Sequence, residues 1–87
     1  MLVQKGSVVR SLAGHDKGTL YLVLETEQGK LLLCDGRRRP LDRPKSKSEK
    51  HVRKTNIILE LAGMDTNKKV RRALAALDTQ EGGNQLV

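Results

Sequence analysis

Three apolar runs, separated by short polar stretches that contain glycine, lie within the first 34 residues of the chain. Ser7-Val8-Val9-Arg10-Ser11-Leu12-Ala13 has the β-branched and apolar content of a strand. Gly14-His15-Asp16-Lys17-Gly18 interrupts it, with a glycine at each end suited to a tight turn. Thr19 to Glu25 reads as a second strand, and Leu20 to Leu24 is apolar without alternation, so both of its faces need cover. Glu25-Thr26-Glu27-Gln28-Gly29-Lys30 is a polar hairpin turn. Leu31-Leu32-Leu33-Cys34 is the third strand, again apolar on both faces. A small barrel normally wets its outside, so two doubly apolar strands imply that another element packs there.

The pattern then changes. Asp35-Gly36 is a turn signal, and Arg37 to Leu41 is a candidate fourth strand that stops near Pro40. Pro40 and Pro44 lack an amide hydrogen, which confines this region to an edge or a loop. Lys45 to Lys50 reads as a mobile charged loop. His51 to Leu59 resumes strand character, with Val52 and Ile57-Ile58-Leu59 as candidate core residues, and closes the barrel. Farther on, Asp65 or Thr66 can cap a helix over Asn67 to Leu77, where Val70, Ala73, Leu74 and Leu77 share one face. Lys68, Lys69, Arg71 and Arg72 fall mainly on the other. The economical place for the apolar face is the outside of the barrel. The expected division is therefore a barrel over 1–59, a connector and helix over 60–78, and a flexible tail over 79–87 that frays from Gly82.

Charge adds the first functional information. The chain of 87 residues has a formal net charge of +7 and a pI near 10.0. Residues 37–54 hold nine basic side chains against Asp42 and Glu49, which is the whole excess of the protein. One stripe with all the excess points to a polyanionic partner more than to general solubility. A single cysteine, Cys34, rules out an internal disulfide and suits a reducing, cytoplasmic compartment. No run approaches the roughly 18 apolar residues of a membrane span.

Gly6, Val8, Val9, Gly14, Lys17 and Gly18, with the apolar positions of the second strand, resemble the KOW motif of ribosomal proteins and transcription elongation factors. The likeness extends through Asp35-Gly36-x-x-Arg39-Pro40-Leu41-x-x-Pro44-Lys45, then Lys50-His51-Val52 and Lys54-Thr55-Asn56, about two thirds of the chain. These motifs resemble small bacterial KOW-domain RNA-binding proteins, similar to large-subunit ribosomal proteins of the archaeal and eukaryotic type. The resemblance implies a mainly β fold, an SH3-like small β-barrel (KOW domain) with the C-terminal helix on its outside. It also implies RNA contact, ribosomal RNA above all, through loop 14–18 and the basic arm 37–54.

The residues so implicated are His15 and Lys17 in the loop, then Arg37, Arg38, Arg39, Arg43, Lys45, Lys47, Lys50, His51, Arg53 and Lys54. Gly14 and Gly18 shape the loop backbone so that a phosphate can approach. Arginine suits phosphate through its planar fork and lysine as a point charge. Two histidines, one cysteine and scattered acids at no ligand-like spacing give no metal site. Cys34 ends an apolar strand and reads as a small buried thiol. No phosphate loop, triad or carboxylate pair is present, so neither catalysis nor a cofactor is expected. With Tyr21 as the sole aromatic, bases cannot stack on several rings as single-strand binders require. Recognition is expected to rest on phosphate, 2′-hydroxyl and shape. Two rivals stand beside this reading. One is a module for protein contacts in the transcription or translation machinery, which an exposed patch of Val70, Leu74 and Leu77 would mark. The other is non-specific nucleic-acid or polyanion binding.

Overall fold

The alternation hidden inside the apolar runs decides the architecture. In the computed structural model, which describes residues 3–85 and the side chains of residues 3–78, five strands form one antiparallel sheet in the order β4-β3-β2-β1-β5. They are β1 (Ser7–Ser11), β2 (Leu20–Glu27), β3 (Lys30–Cys34), β4 (Lys45–Ser48) and β5 (Val52–Ile58). Short 3-10 turns at Glu49–His51 and Leu61–Gly63 precede the helix α1 (Asn67–Gln85). β4 and β5 are the two edges, so the sheet is open, and the first 3-10 turn carries the chain from one edge to the other.

Each face of the sheet has its own core. Val8, Leu20, Leu22 and Cys34 pack with Val70 and Leu74 of α1, and Leu24, Ile57, Leu59 and Leu77 extend that cluster. The opposite face gathers Val9, Tyr21, Val23, Leu31, Leu33 and Val52. Even-numbered residues of β2 thus meet the helix and odd-numbered ones meet the other core, the period of two that a strand imposes. The expected double cover of β2 is present, and the helix supplies one half of it. In β3 the cover is partial, since Leu32 lies on the helix side yet remains exposed. A bulge between Val23 and Glu25 adds a residue to β2 and bends the sheet.

Three expectations are corrected. Arg37 to Leu41 is not a strand but a bend followed by a turn. The fourth strand is instead Lys45–Ser48, within the segment expected to be a mobile charged loop. It pairs with β3 through Lys30↔Ser48, Leu31↔Lys47, Leu32↔Ser46 and Leu33↔Lys45. Backbone pairing with an apolar neighbour makes a strand of a sequence with no apolar residue. Ile58, an expected core residue, ends β5 with half of its surface exposed, while Ile57 and Leu59 point to the helix-side core.

The helix starts where the capping signal lies, with the Lys69 amide donating to Thr66 Oγ1 at 3.2 Å. Its apolar stripe faces inward: Val70 and Leu74 are buried and Leu77 packs against the same core. That stripe is closed to a partner. The helix backbone continues to Gln85, past the expected end at Leu77 and through Gly82 where fraying was expected, while residues 86–87 lie outside the described residues.

Candidate nucleic-acid interface

The turn between β1 and β2 is held by a partly buried carboxylate. Asp16 is only 14% exposed. Its Oδ1 accepts from Ser11 Oγ (2.9 Å) and Lys47 Nζ (3.1 Å), and its Oδ2 from Tyr21 OH and Lys45 Nζ, both at 2.8 Å. Burial alone would raise this carboxyl, but the hydrogen bonds from Lys45, Tyr21, Lys47 and Ser11 outweigh it and hold Asp16 well below the usual carboxylate range. The Tyr21 hydroxyl moves the other way, raised by burial and by the Asp16 carboxylate it donates to. Gly14 and Gly18 both have positive φ, +86° and +90°, as the loop reading expects.

Two of the expected RNA-contacting cations are therefore engaged inside the protein. Lys47 is 9% exposed and also donates to the Ala13 carbonyl at 2.9 Å. Lys45 is more open but shares Asp16 Oδ2. Their register partners, Leu33 and Leu31, belong to the inner core, so both ammonium groups leave the strand on that face and reach its rim at Asp16. No local signal links Asp16 to residues some thirty positions away. The period of two in Lys45-Ser46-Lys47-Ser48 is the one sequence feature that would have revealed a strand.

The next segment presents its cations outward. Asp35 Oδ1 accepts from the Arg37 amide (2.9 Å) and the Arg39 amide (3.0 Å), which folds the chain into a bend. Arg37, Arg38 and Arg39 are all exposed on it. The base of the bend is tied to α1: the Leu41 amide donates to Asn67 Oδ1 at 2.8 Å, and Arg71 donates to the Gly36 carbonyl at 3.2 Å. Gly36 has φ +77°, and a Cβ there would collide with the Asn67 carbonyl. The bend is thus a fixed mount for three guanidinium groups. Arg10 ties the other loop to the same helix, donating to the Gly18 carbonyl and pairing with Asp78 at 3.1 Å.

Between the two loops and the helix lies a cleft of about 490 Å³. Lys17, Arg37 and Arg71 line it with Asp35 and Asp78, and Leu20, Leu74 and Ala75 form its apolar part. Arg71 was not among the sequence candidates. The basic run Lys68-Lys69-x-Arg71-Arg72 on the polar side of the helix was its available signal.

The remaining candidates are spread elsewhere. His15 is exposed at the loop tip, and Arg43 is exposed past the turn at Pro40. Lys50 borders a hollow with Gln28, Gly29, Lys30, Ser48 and Glu49. Arg53 and Lys54 are exposed on the edge strand β5, and His51 precedes them on the 3-10 turn. The stripe that is continuous in sequence is thus divided in space. Cys34 is fully buried, its thiol pushed up to about 11 by burial and then by Asp35, which keeps it from the nucleophilic thiolate form. Among the described residues, no helix is long and apolar enough to cross a membrane. Set against known proteins, the chain matches no family model and no curated protein.

Proposed function

We propose that this protein is a non-catalytic binder of folded RNA, an SH3-like barrel of the KOW type acting on ribosomal RNA of the large subunit in translation. The observation behind this reading is the convergence of Lys17, Arg37 and Arg71, from three separate segments, around one cleft. Arg38 and Arg39 stand exposed beside it, in a chain with a net charge of +7. The barrel assignment is supported by β1 pairing with both β2 and β5 while a single 3-10 turn joins the two edges. Arginine forks grip phosphate oxygens in pairs, and Lys17 adds a point charge at the loop tip. Tyr21 is buried, so no aromatic platform is open for stacking a single strand, which favours folded RNA. A cytoplasmic setting follows from that partner.

The test is binding of a labelled ribosomal RNA hairpin across a salt series. If about four to six phosphates are neutralised, log K falls with log salt at a slope of about −3 to −5. Replacing Arg37, Arg38 and Arg39 together by alanine is expected to flatten that slope by about 2–3. A flat dependence in the wild type refutes the reading. Equal affinity for heparin, duplex DNA and the hairpin at matched salt reduces it to general polyanion binding. Crosslinking in cells then identifies the RNA, with the triple variant as the control.

A further inference from the structure

The lining of the cleft differs from that of a phosphate groove. A surface that only follows a backbone needs cations, yet this one sets three of them around an apolar floor. Leu20 and Leu74 are buried residues whose edges reach the cleft, and Ala75 completes the floor. The two carboxylates in the wall are already engaged: Asp35 Oδ1 accepts two backbone amides of the bend, and Asp78 Oδ1 accepts from Arg10. Arg10 offsets the Asp78 charge while Asp35 keeps its own, so Lys17, Arg37 and Arg71 leave the lining with a net positive charge toward an entering group. Arg71 is half-buried and anchored by NH1 to the Gly36 carbonyl, so its guanidinium plane has a fixed place beside the floor.

An RNA strand offers one unit that combines a flat apolar body with a negative charge, the nucleotide. A volume of about 490 Å³ is in the range of sites that take small molecules, ample for one nucleotide and too small for a helix. Guanidinium planes also serve as stacking surfaces for unstacked bases. In a protein whose sole aromatic is buried, two arginines beside an apolar floor are the available substitute.

We propose that the cleft between loop 12–19, the bend at 35–39 and α1 receives a single unpaired nucleotide of a folded RNA. The base lies on Leu20, Leu74 and Ala75 against Arg71, and its phosphate lies on Lys17 and Arg37. This inference rests on the RNA-binding reading and adds to it a preference for bulged over fully paired helices. An extruded base also leaves the duplex more readily where it is already unpaired.

The experiment compares two labelled hairpins of identical stem, one fully paired and one with a single-nucleotide bulge, by fluorescence anisotropy at one salt concentration. The wild type is expected to bind the bulged RNA about tenfold more tightly, within what one stacked base contributes. Ala75→Leu fills the floor without changing charge or adding an aromatic ring, and is expected to bring that ratio to about one. A second measurement needs no variant. With 2-aminopurine as the bulged base, its emission is expected to change when protein is added, and to change less with a competing unlabelled bulged hairpin. Equal wild-type affinity for the two hairpins, or an unchanged 2-aminopurine signal under saturating protein, overturns the nucleotide cleft and leaves RNA binding standing. Binding of neither hairpin overturns the functional reading itself.

Discussion

Replacing Asp16 by asparagine removes the charge at the centre of the loop network and keeps its shape. The carboxylate accepts from two ammonium groups and two hydroxyls. An amide turns one oxygen into a donor, which then faces either Lys47 and Ser11 or Lys45 and Tyr21. Breaking a buried ion pair by removing one partner costs about 3–5 kcal/mol. The lower figure applies here for two reasons. Lys45 is 28% exposed and can turn to water, and Lys47 keeps the Ala13 carbonyl as an acceptor. With about 3 kcal/mol lost and a urea slope near 1 kcal/mol/M for a chain this small, the midpoint is expected to fall by about 3 M. Because stability at this size is roughly 4–13 kcal/mol, the variant retains about 1–10 kcal/mol and still folds. Urea unfolding followed by circular dichroism reads the shift.

The pH dependence has a definite sign. A carboxyl with a depressed folded pKa stabilises above its unfolded value, near 3.9, and that contribution fades as pH falls toward the folded value. The gap between wild type and Asp16→Asn is therefore expected to be full at pH 6 and to close at strongly acid pH. A cycle with Lys47→Met completes the test, with a coupling of about 1–3 kcal/mol. A loss below about 0.5 kcal/mol for Asp16→Asn, or strict additivity with Lys47→Met, refutes the network as the support of the loop.

Two further outcomes are expected. Tyr21, raised by burial and by Asp16, keeps its neutral form in the fold; the stabilisation is complete below about pH 10 and lost as pH rises through the folded value. As the sole tyrosine, it is expected to show no tyrosinate absorbance at pH 11 until the protein unfolds, and a free titration near pH 10 in native protein contradicts its burial. Gly36→Ala is expected to cost at least about 1–3 kcal/mol, from positive φ and from the collision with the Asn67 carbonyl. A thermal midpoint within a degree of wild type shows that the bend and α1 are not in contact.

Most of the framework could be read along the chain, because it depends on local periodicity. The apolar runs that became β1, β2 and β3, the turn at Gln28-Gly29, the Thr66 cap and the inward face of Val70, Leu74 and Leu77 all follow from spacing alone. Unbroken apolar character in β2 correctly demanded cover on both sides, since successive side chains must leave a strand in opposite directions. Charge totals likewise belong to sequence.

What depended on the fold was the fate of individual charged residues. Arg37, Arg38 and Arg39 form a bend because one Asp35 oxygen captures two of their amides, a choice that hydropathy cannot express. Lys45 and Lys47 appeared equivalent to the other cations of the stripe, yet pairing with β3 turned them toward Asp16. Arg71, outside the stripe, reached the cleft because the helix packs its other face on the sheet. Periodicity fixes the direction of a side chain relative to its own backbone. Which ionic partner lies in that direction depends on contacts between residues about thirty positions apart, and only the folded chain brings those together.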